Sequence, residues 1–197
     1  MSPFRLGLTG SIGMGKSTTA AIFSDAGLPV WDADAAVHRL YAPGGAAVTA
    51  IDALHPRAVV GGAVDRTLLK AWIASDATAL ARIEAVVHPL VAADRATFID
   101  RATSDIVVLD IPLLFEIGAE QQMDATLVVT APPALQRARV LARPGMTEAQ
   151  FASILSRQMP DAEKRARATH IVETLSIASV RAYVDALIAH IREGRHA

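Results

Sequence analysis

Gly10-Ser11-Ile12-Gly13-Met14-Gly15-Lys16-Ser17 has the spacing G-x-x-x-x-G-K-[ST], that of a loop that cradles phosphate. Each residue type has a task in such a loop. The glycines let the backbone curl so that several N–H groups point at one anion. Lys16 can reach the β- and γ-phosphates, and the Ser17 hydroxyl can ligate Mg²⁺. Gly10, Ser11, Ile12, Gly13, Met14, Gly15, Lys16, Ser17 and the following Thr18 together make a candidate nucleotide site. A chance glycine-rich turn is the alternative, and the flanks argue against it. Phe4-Arg5-Leu6-Gly7-Leu8-Thr9 reads as a short buried strand and Ser17–Ala26 as a helix, the strand–turn–helix setting the motif needs. The helix N-terminus adds a partial positive charge. The chain is expected to bind a nucleoside triphosphate, and the question becomes what receives the phosphate.

A kinase also needs a metal, a positioned acceptor and cations over the moving group. Asp34 closes the second predicted strand, beside the first strand in the usual sheet order. There it can take or orient an acceptor's proton, or it can cap the following helix. His38 lies four residues on, hence on the same helix face; a packing or surface role competes with substrate contact. Asp110 ends an apolar strand, where it can hold Mg²⁺ through water or merely terminate the strand. Pro112-Leu113-Leu114-Phe115-Glu116 is apolar for a loop at a site and suggests a wall for a substrate with hydrocarbon or aromatic parts. Arginines crowd the stretch from Arg137 to Arg167. A solvated helix face explains most of them. Arg139 and Arg143, at i and i+4, are the pair best spaced to close over a polyphosphate as a lid.

The elements that position these residues alternate as strand and helix, which implies a mostly parallel sheet covered on both faces. Strands are predicted at 28–31, 106–109, 125–129 and 170–172. Between 34 and 105 no strand is expected, only helical pieces near 35–40, 46–54, 66–74, 77–87 and 90–102, with Asp65 and Ser75 or Asp76 as caps. The predicted architecture is therefore one α/β domain of three layers. Its core spans about 1–34, 103–135 and 168–197, with a helical insertion over about 35–102 and a lid over about 136–167. Hydrophobic residues are 52% of the 197, enough for such a core, and the net charge of −1 lacks the basic field of a nucleic-acid binder. There is no cysteine and no apolar run long enough for a bilayer, and no signal peptide is expected. A cytoplasmic protein is expected, monomeric or a small homo-oligomer, with no nucleic-acid or membrane partner.

Several stretches, in order, resemble the dephospho-CoA kinase family. They are Leu8–Thr18, Asp32-Ala33-Asp34 with His38, Pro43-Gly44, Gly62 with Asp65-Arg66 and Leu69, His88-Pro89, Asp110-Ile111-Pro112-Leu113-Leu114-Phe115-Glu116, Gln136 with Arg139 and Arg143, and Gln158. The resemblance covers nearly the whole chain. It implies a P-loop NTPase fold and transfer of phosphate from ATP to the ribose 3′-hydroxyl of dephospho-CoA, giving CoA. It implies catalytic roles for Lys16, Asp34 and Arg139, and acceptor contacts from Thr9, Asp34, His38, Arg66, His88, Leu113 and Phe115. The family carries an Asn-Gly pair after its last strand where this chain reads Glu173-Thr174-Leu175-Ser176, so the resemblance does not extend to the adenine contact. Two rival functions remain: another small-molecule P-loop kinase, for a nucleoside monophosphate or sugar acid, and a nucleotide-dependent switch.

Overall fold

The computed structural model describes residues 2–196. In chain order the elements are β1 (Phe4–Thr9), α1 (Lys16–Asp25), β2 (Val30–Asp32), α2 (Ala33–Tyr41), α3 (Ala46–Leu54), β3 (Val59–Val60), β4 (Ala63–Val64), α4 (Arg66–Ser75), α5 (Ala79–Arg101), β5 (Ile106–Asp110), β6 (Ala125–Thr130), α6 (Pro133–Leu141), α7 (Glu148–Leu155), α8 (Asp161–Arg167), β7 (His170–Glu173) and α9 (Ile177–His196). They pack as two compact units, Met1–Trp31 with Ala102–Ala197, and Asp32–Arg101.

The first unit is built on a sheet of order β2-β5-β1-β6-β7. β1 runs parallel to β5 and β6, and β6 parallel to β7. Alternate residues serve opposite faces. Leu6, Leu8, Ile106, Val108, Leu127 and Val129 form one core with Ile22 and Phe23 of α1 and Val180, Val184 and Leu187 of α9. The other face, with Val107, Leu109 and Val128 fully buried, is closed by the segment after β5. A Cβ at Gly7 would lie 2.8 Å from Met123 Cγ and 3.1 Å from Leu114 Cδ2. Burial on both faces is why these strands read as unbroken apolar runs rather than alternating ones.

The expected α/β fold is present, with one correction to strand order. β5, not β2, lies beside β1, so the strand next to the phosphate loop ends in Asp110. β5 is wholly buried and takes the inner place, whereas β2 is a three-residue edge strand, a short form that suits an edge.

The second unit packs α2 to α5 around Ala47, Ile51, Val64, Leu69, Trp72, Ile83 and Val87. Asp65 caps α4, accepting from the N–H groups of Thr67 and Leu68. Two expectations fail here. β3 and β4 form a small antiparallel hairpin where no strand was predicted. Its turn is Gly61-Gly62, both at positive φ (59° and 77°), the requirement of a tight hairpin turn. The pieces predicted at 77–87 and 90–102 are one helix, α5, with Pro89 inside it. An interior proline costs about 3 kcal/mol. Packing on both sides of it, by Ile83 and Val87 before and Leu90 and Val91 after, overrides that cost.

Candidate active site

The phosphate loop runs from the end of β1 to the start of α1, and neighbouring elements fix its curvature. Gly13 and Gly15 sit at φ +78° and +91°, where a side chain would be strained. Space excludes one as well. A Cβ at Gly10 would meet Val129 Cγ2 at 2.3 Å, one at Gly13 would meet Val140 Cγ2 at 2.4 Å, and one at Gly15 would meet Thr174 Oγ1 at 2.9 Å. Met14 turns inward, and its sulfur accepts the Ala131 N–H at 3.0 Å. The Ile12 peptide is held from both sides: its N–H donates to Gln158 Oε1 at 3.0 Å, and its carbonyl accepts from Gln136 Nε2 at 2.8 Å. Gly15 caps α1 without a side-chain acceptor, so the first N–H groups of that helix remain for a ligand. Ser17 and Thr18 are exposed beside them.

Lys16 Nζ is paired with Asp110 Oδ1. Asp110 is 1% exposed, so its carboxylate is a buried charge at the end of β5, held by the ammonium of the first residue of α1. An ammonium has three donors, and the pairing leaves others for phosphate oxygens. The loop that leaves Asp110 is tied down in turn. The Ile111 N–H donates to the Leu8 carbonyl at 2.9 Å, and the Pro112 carbonyl accepts the Thr9 hydroxyl at 3.0 Å and Lys164 Nζ at 3.3 Å.

Arg139, on α6, donates to Thr174 Oγ1 at 2.9 Å and to the Thr174 carbonyl at 2.6 Å. Thr174 Oγ1 donates to the Met14 carbonyl at 2.8 Å. The guanidinium is thus anchored one residue from the phosphate loop. Arg143 does not share its face. α6 ends at Leu141, and Arg143 lies past the cap on an exposed turn, because the residue before Pro144 is disfavoured in helix.

These features make a phosphate cradle, and the chain's likeness to known proteins gives the reaction. The dephospho-CoA kinase family matches residues 4–178. The chain belongs to that family. It is 72% identical over 193 residues to the dephospho-CoA kinase of Cereibacter sphaeroides, with 98% of both chains covered. It is 60% identical over 192 residues to that of a Jannaschia species, covering 97% of this chain and 98% of the other. A crystal structure from Thermus thermophilus superposes with a TM-score of 0.86 at 38% identity, covering 96% of this chain and 98% of that one. A dephospho-CoA kinase of Campylobacter jejuni shares the fold at TM-score 0.71 and 23% identity, over 97% and 98% of the two chains.

The remaining dephospho-CoA kinase positions fall into two groups. In the first unit, Thr9 is buried and its hydroxyl is used internally. Of the apolar wall, Leu113 is 39% exposed, but Phe115 is 3% exposed with the Arg167 guanidinium 5.0 Å above its ring. Only Leu113 offers a surface to a substrate; Thr9 and Phe115 are corrections to the predicted contacts. In the second unit, α2 begins directly after Asp32, whose carboxylate accepts from Ala35 N–H at 2.8 Å. Asp34 is therefore in the first helical turn, not at the strand end, and Asp32 is the cap. Asp34 and His38 are both exposed on α2. Arg66 opens α4 with its guanidinium 5.7 Å from the ring centre of Tyr41, the last residue of α2. His88 is exposed on α5.

Two residues of weight escape the sequence. Thr174 bonds Arg139 and Met14, and only its place one residue past β7 hinted at it. Lys164 is fully buried, inside a stretch whose charge pattern reads as a solvated face. Among the described residues no helix is long and apolar enough to cross a membrane.

Proposed function

We propose that the chain transfers the γ-phosphoryl group of ATP to the ribose 3′-hydroxyl of dephospho-CoA, with Mg²⁺, in the cytoplasm. The observation that carries this reading is the cradle itself: a curled glycine loop with Lys16 paired to the buried Asp110, in a member of this family. In this mechanism the N–H groups at the start of α1 and the Lys16 ammonium hold the β- and γ-phosphates in line. The donor chemistry fits magnesium, since Ser17 and Asp110 are hard oxygen ligands and phosphates and water supply the rest. No cluster of three or more His, Asp or Glu competes as a metal cage among the described residues. When bound, Mg²⁺ neutralises charge on the β- and γ-oxygens. Arg139, anchored at Thr174, sets a fixed positive charge where negative charge is spread over the transferred group. Asp34 accepts or orients the 3′-hydroxyl proton, and the Asp32–Arg101 unit holds the acceptor through His38, Arg66 and His88. Leu113 serves its apolar portion. Arg143 contributes charge at the lid's tip. The near-neutral chain and its small-molecule acceptor suit a monomer or small homo-oligomer.

The test is the position and identity of the phosphorylated product. With ATP and Mg²⁺, ³¹P NMR should show a new phosphomonoester on the ribose 3′-position of dephospho-CoA, with shikimate, gluconate and AMP unchanged. Faster phosphorylation of any of those three would overturn the acceptor assignment.

A further inference from the structure

Lys164 has no place in the phosphate cradle, yet it is the only lysine or arginine among the described residues that is fully buried. Its Nζ pairs with Glu116 Oε1 at 2.8 Å and donates to the Pro112 carbonyl at 3.3 Å. Both partners are shared. The same carbonyl accepts the Thr9 hydroxyl at the end of β1, and the same Glu116 oxygen accepts the Met159 N–H at 2.8 Å. One residue earlier, Gln158 takes the N–H of Ile12 in the phosphate loop. Residues 158–164 therefore clasp two loops at once: the one that cradles phosphate and the one that leaves Asp110.

Stability alone is a poor reason for such a pair. Removing an ammonium from water is costly, and apolar replacements of a buried ion pair are often neutral or stabilising. The other Glu116 oxygen is buried without a protein partner, a further cost that an apolar pair would avoid. What an apolar pair would lack is direction. Two hydrogen bonds onto the Pro112 carbonyl and two onto one Glu116 oxygen fix the path of the backbone two to six residues beyond Asp110. Asp110 in turn holds Lys16.

We propose that Lys164 is a positioning residue for phosphoryl transfer: through Glu116 and the Pro112 carbonyl it sets the loop after Asp110 in register with the phosphate loop. The claim rests on the kinase reading above. It also divides the predicted lid, since residues 158–164 act as a fixed clasp and α6 is bonded to the core through Gln136 and Arg139, which leaves the turn at Arg143 and α7 to move.

The experiment compares the parent with Lys164→Met/Glu116→Leu, reading melting temperature, kcat and both KM values. The parent's dephospho-CoA-dependent turnover is the control; its absence would sink the kinase reading rather than this one. The double variant should melt as the parent does, with kcat down at least about ten-fold and each KM within about three-fold, the pattern of lost transition-state geometry. Thr9→Val is nearly isosteric and removes only the hydroxyl bond to the same carbonyl. It should lower kcat in the parent background with KM held, and add nothing in the double variant, where the loop is already released. If the double variant does not fold, Thr9→Val in the parent decides alone. Parental kcat in either folded variant, or full additivity of the two changes, overturns the proposal.

Discussion

Asp32 and Asp34 stand two residues apart with different surroundings. Asp32 bonds the Ala35 N–H and starts α2, while Asp34 is exposed on the first turn. Asp34→Asn should therefore lower kcat by roughly 10²–10⁴ if the carboxylate is the general base, with the melting temperature unchanged. Asp32→Ala should instead cost about 1 kcal/mol of stability as a lost cap. Paired melting curves and turnover assays check both, and a stability loss from Asp34→Asn with intact kcat would reverse the roles. The sequence could not separate these two carboxylates, because either fits the cap of a helix whose start is uncertain by a residue or two. Nor could it show that Lys164 is buried or Phe115 covered by Arg167, since residue type does not report which side of a short helix or turn faces the core. The phosphate loop was legible because its glycines and lysine are dictated by local backbone geometry.

At the scale of elements, the arginine-rich stretch divides into parts with different ties. The turn at Arg143 is exposed and α7 is paired to α6 through Glu148 and Arg137, whereas Gln136 and Arg139 of α6 and Gln158, Met159 and Lys164 beyond α7 are bonded to the core. Trypsin should cut after Arg157, on the exposed turn past α7, in the free protein and leave Lys164 intact, because cleavage samples the low-stability parts of a fold. ATP with dephospho-CoA should protect the 137–157 stretch. Equal cleavage with and without ligands would mean that no lid closes. Arg139→Ala should lose that protection and about 10²–10³ in kcat, more than it changes acceptor KM, since a fixed charge at the transferred group acts most in the transition state. A change confined to acceptor KM would place Arg139 on the substrate instead. Most strands and helices were legible from apolar runs and turn residues. The β3–β4 hairpin was not, because two-residue strands leave no alternation to read, and α5 was divided because packing overrode Pro89.

For the whole molecule, stability should follow pH through a histidine in the first unit. His170 of β7 lies edge-on to His190 of α9, ring centres 6.3 Å apart, and burial first, then the neighbouring His190, lowers its pKa. With the folded pKa below the unfolded value of about 6.5, the unfolded chain binds the proton first. This contribution is complete above about pH 6.5 and is lost as pH falls from there toward the folded pKa. The Arg192 guanidinium holds Asp105 below its ordinary range, so that pair fails only at lower pH. Melting temperatures across pH 5–8 should decline on the acid side in the parent and less steeply in His170→Gln; identical curves would contradict this assignment. The parallel sheet and its helical insertion were legible at this scale, while the strand order was not, since nothing local dictates that β5 rather than β2 lies beside β1. Phosphoryl transfer to dephospho-CoA by this cradle is tested by ADP release from ATP and Mg²⁺ with and without dephospho-CoA. ADP should form in step with CoA, with little ADP released without the acceptor. ADP release that is indifferent to dephospho-CoA would contradict it.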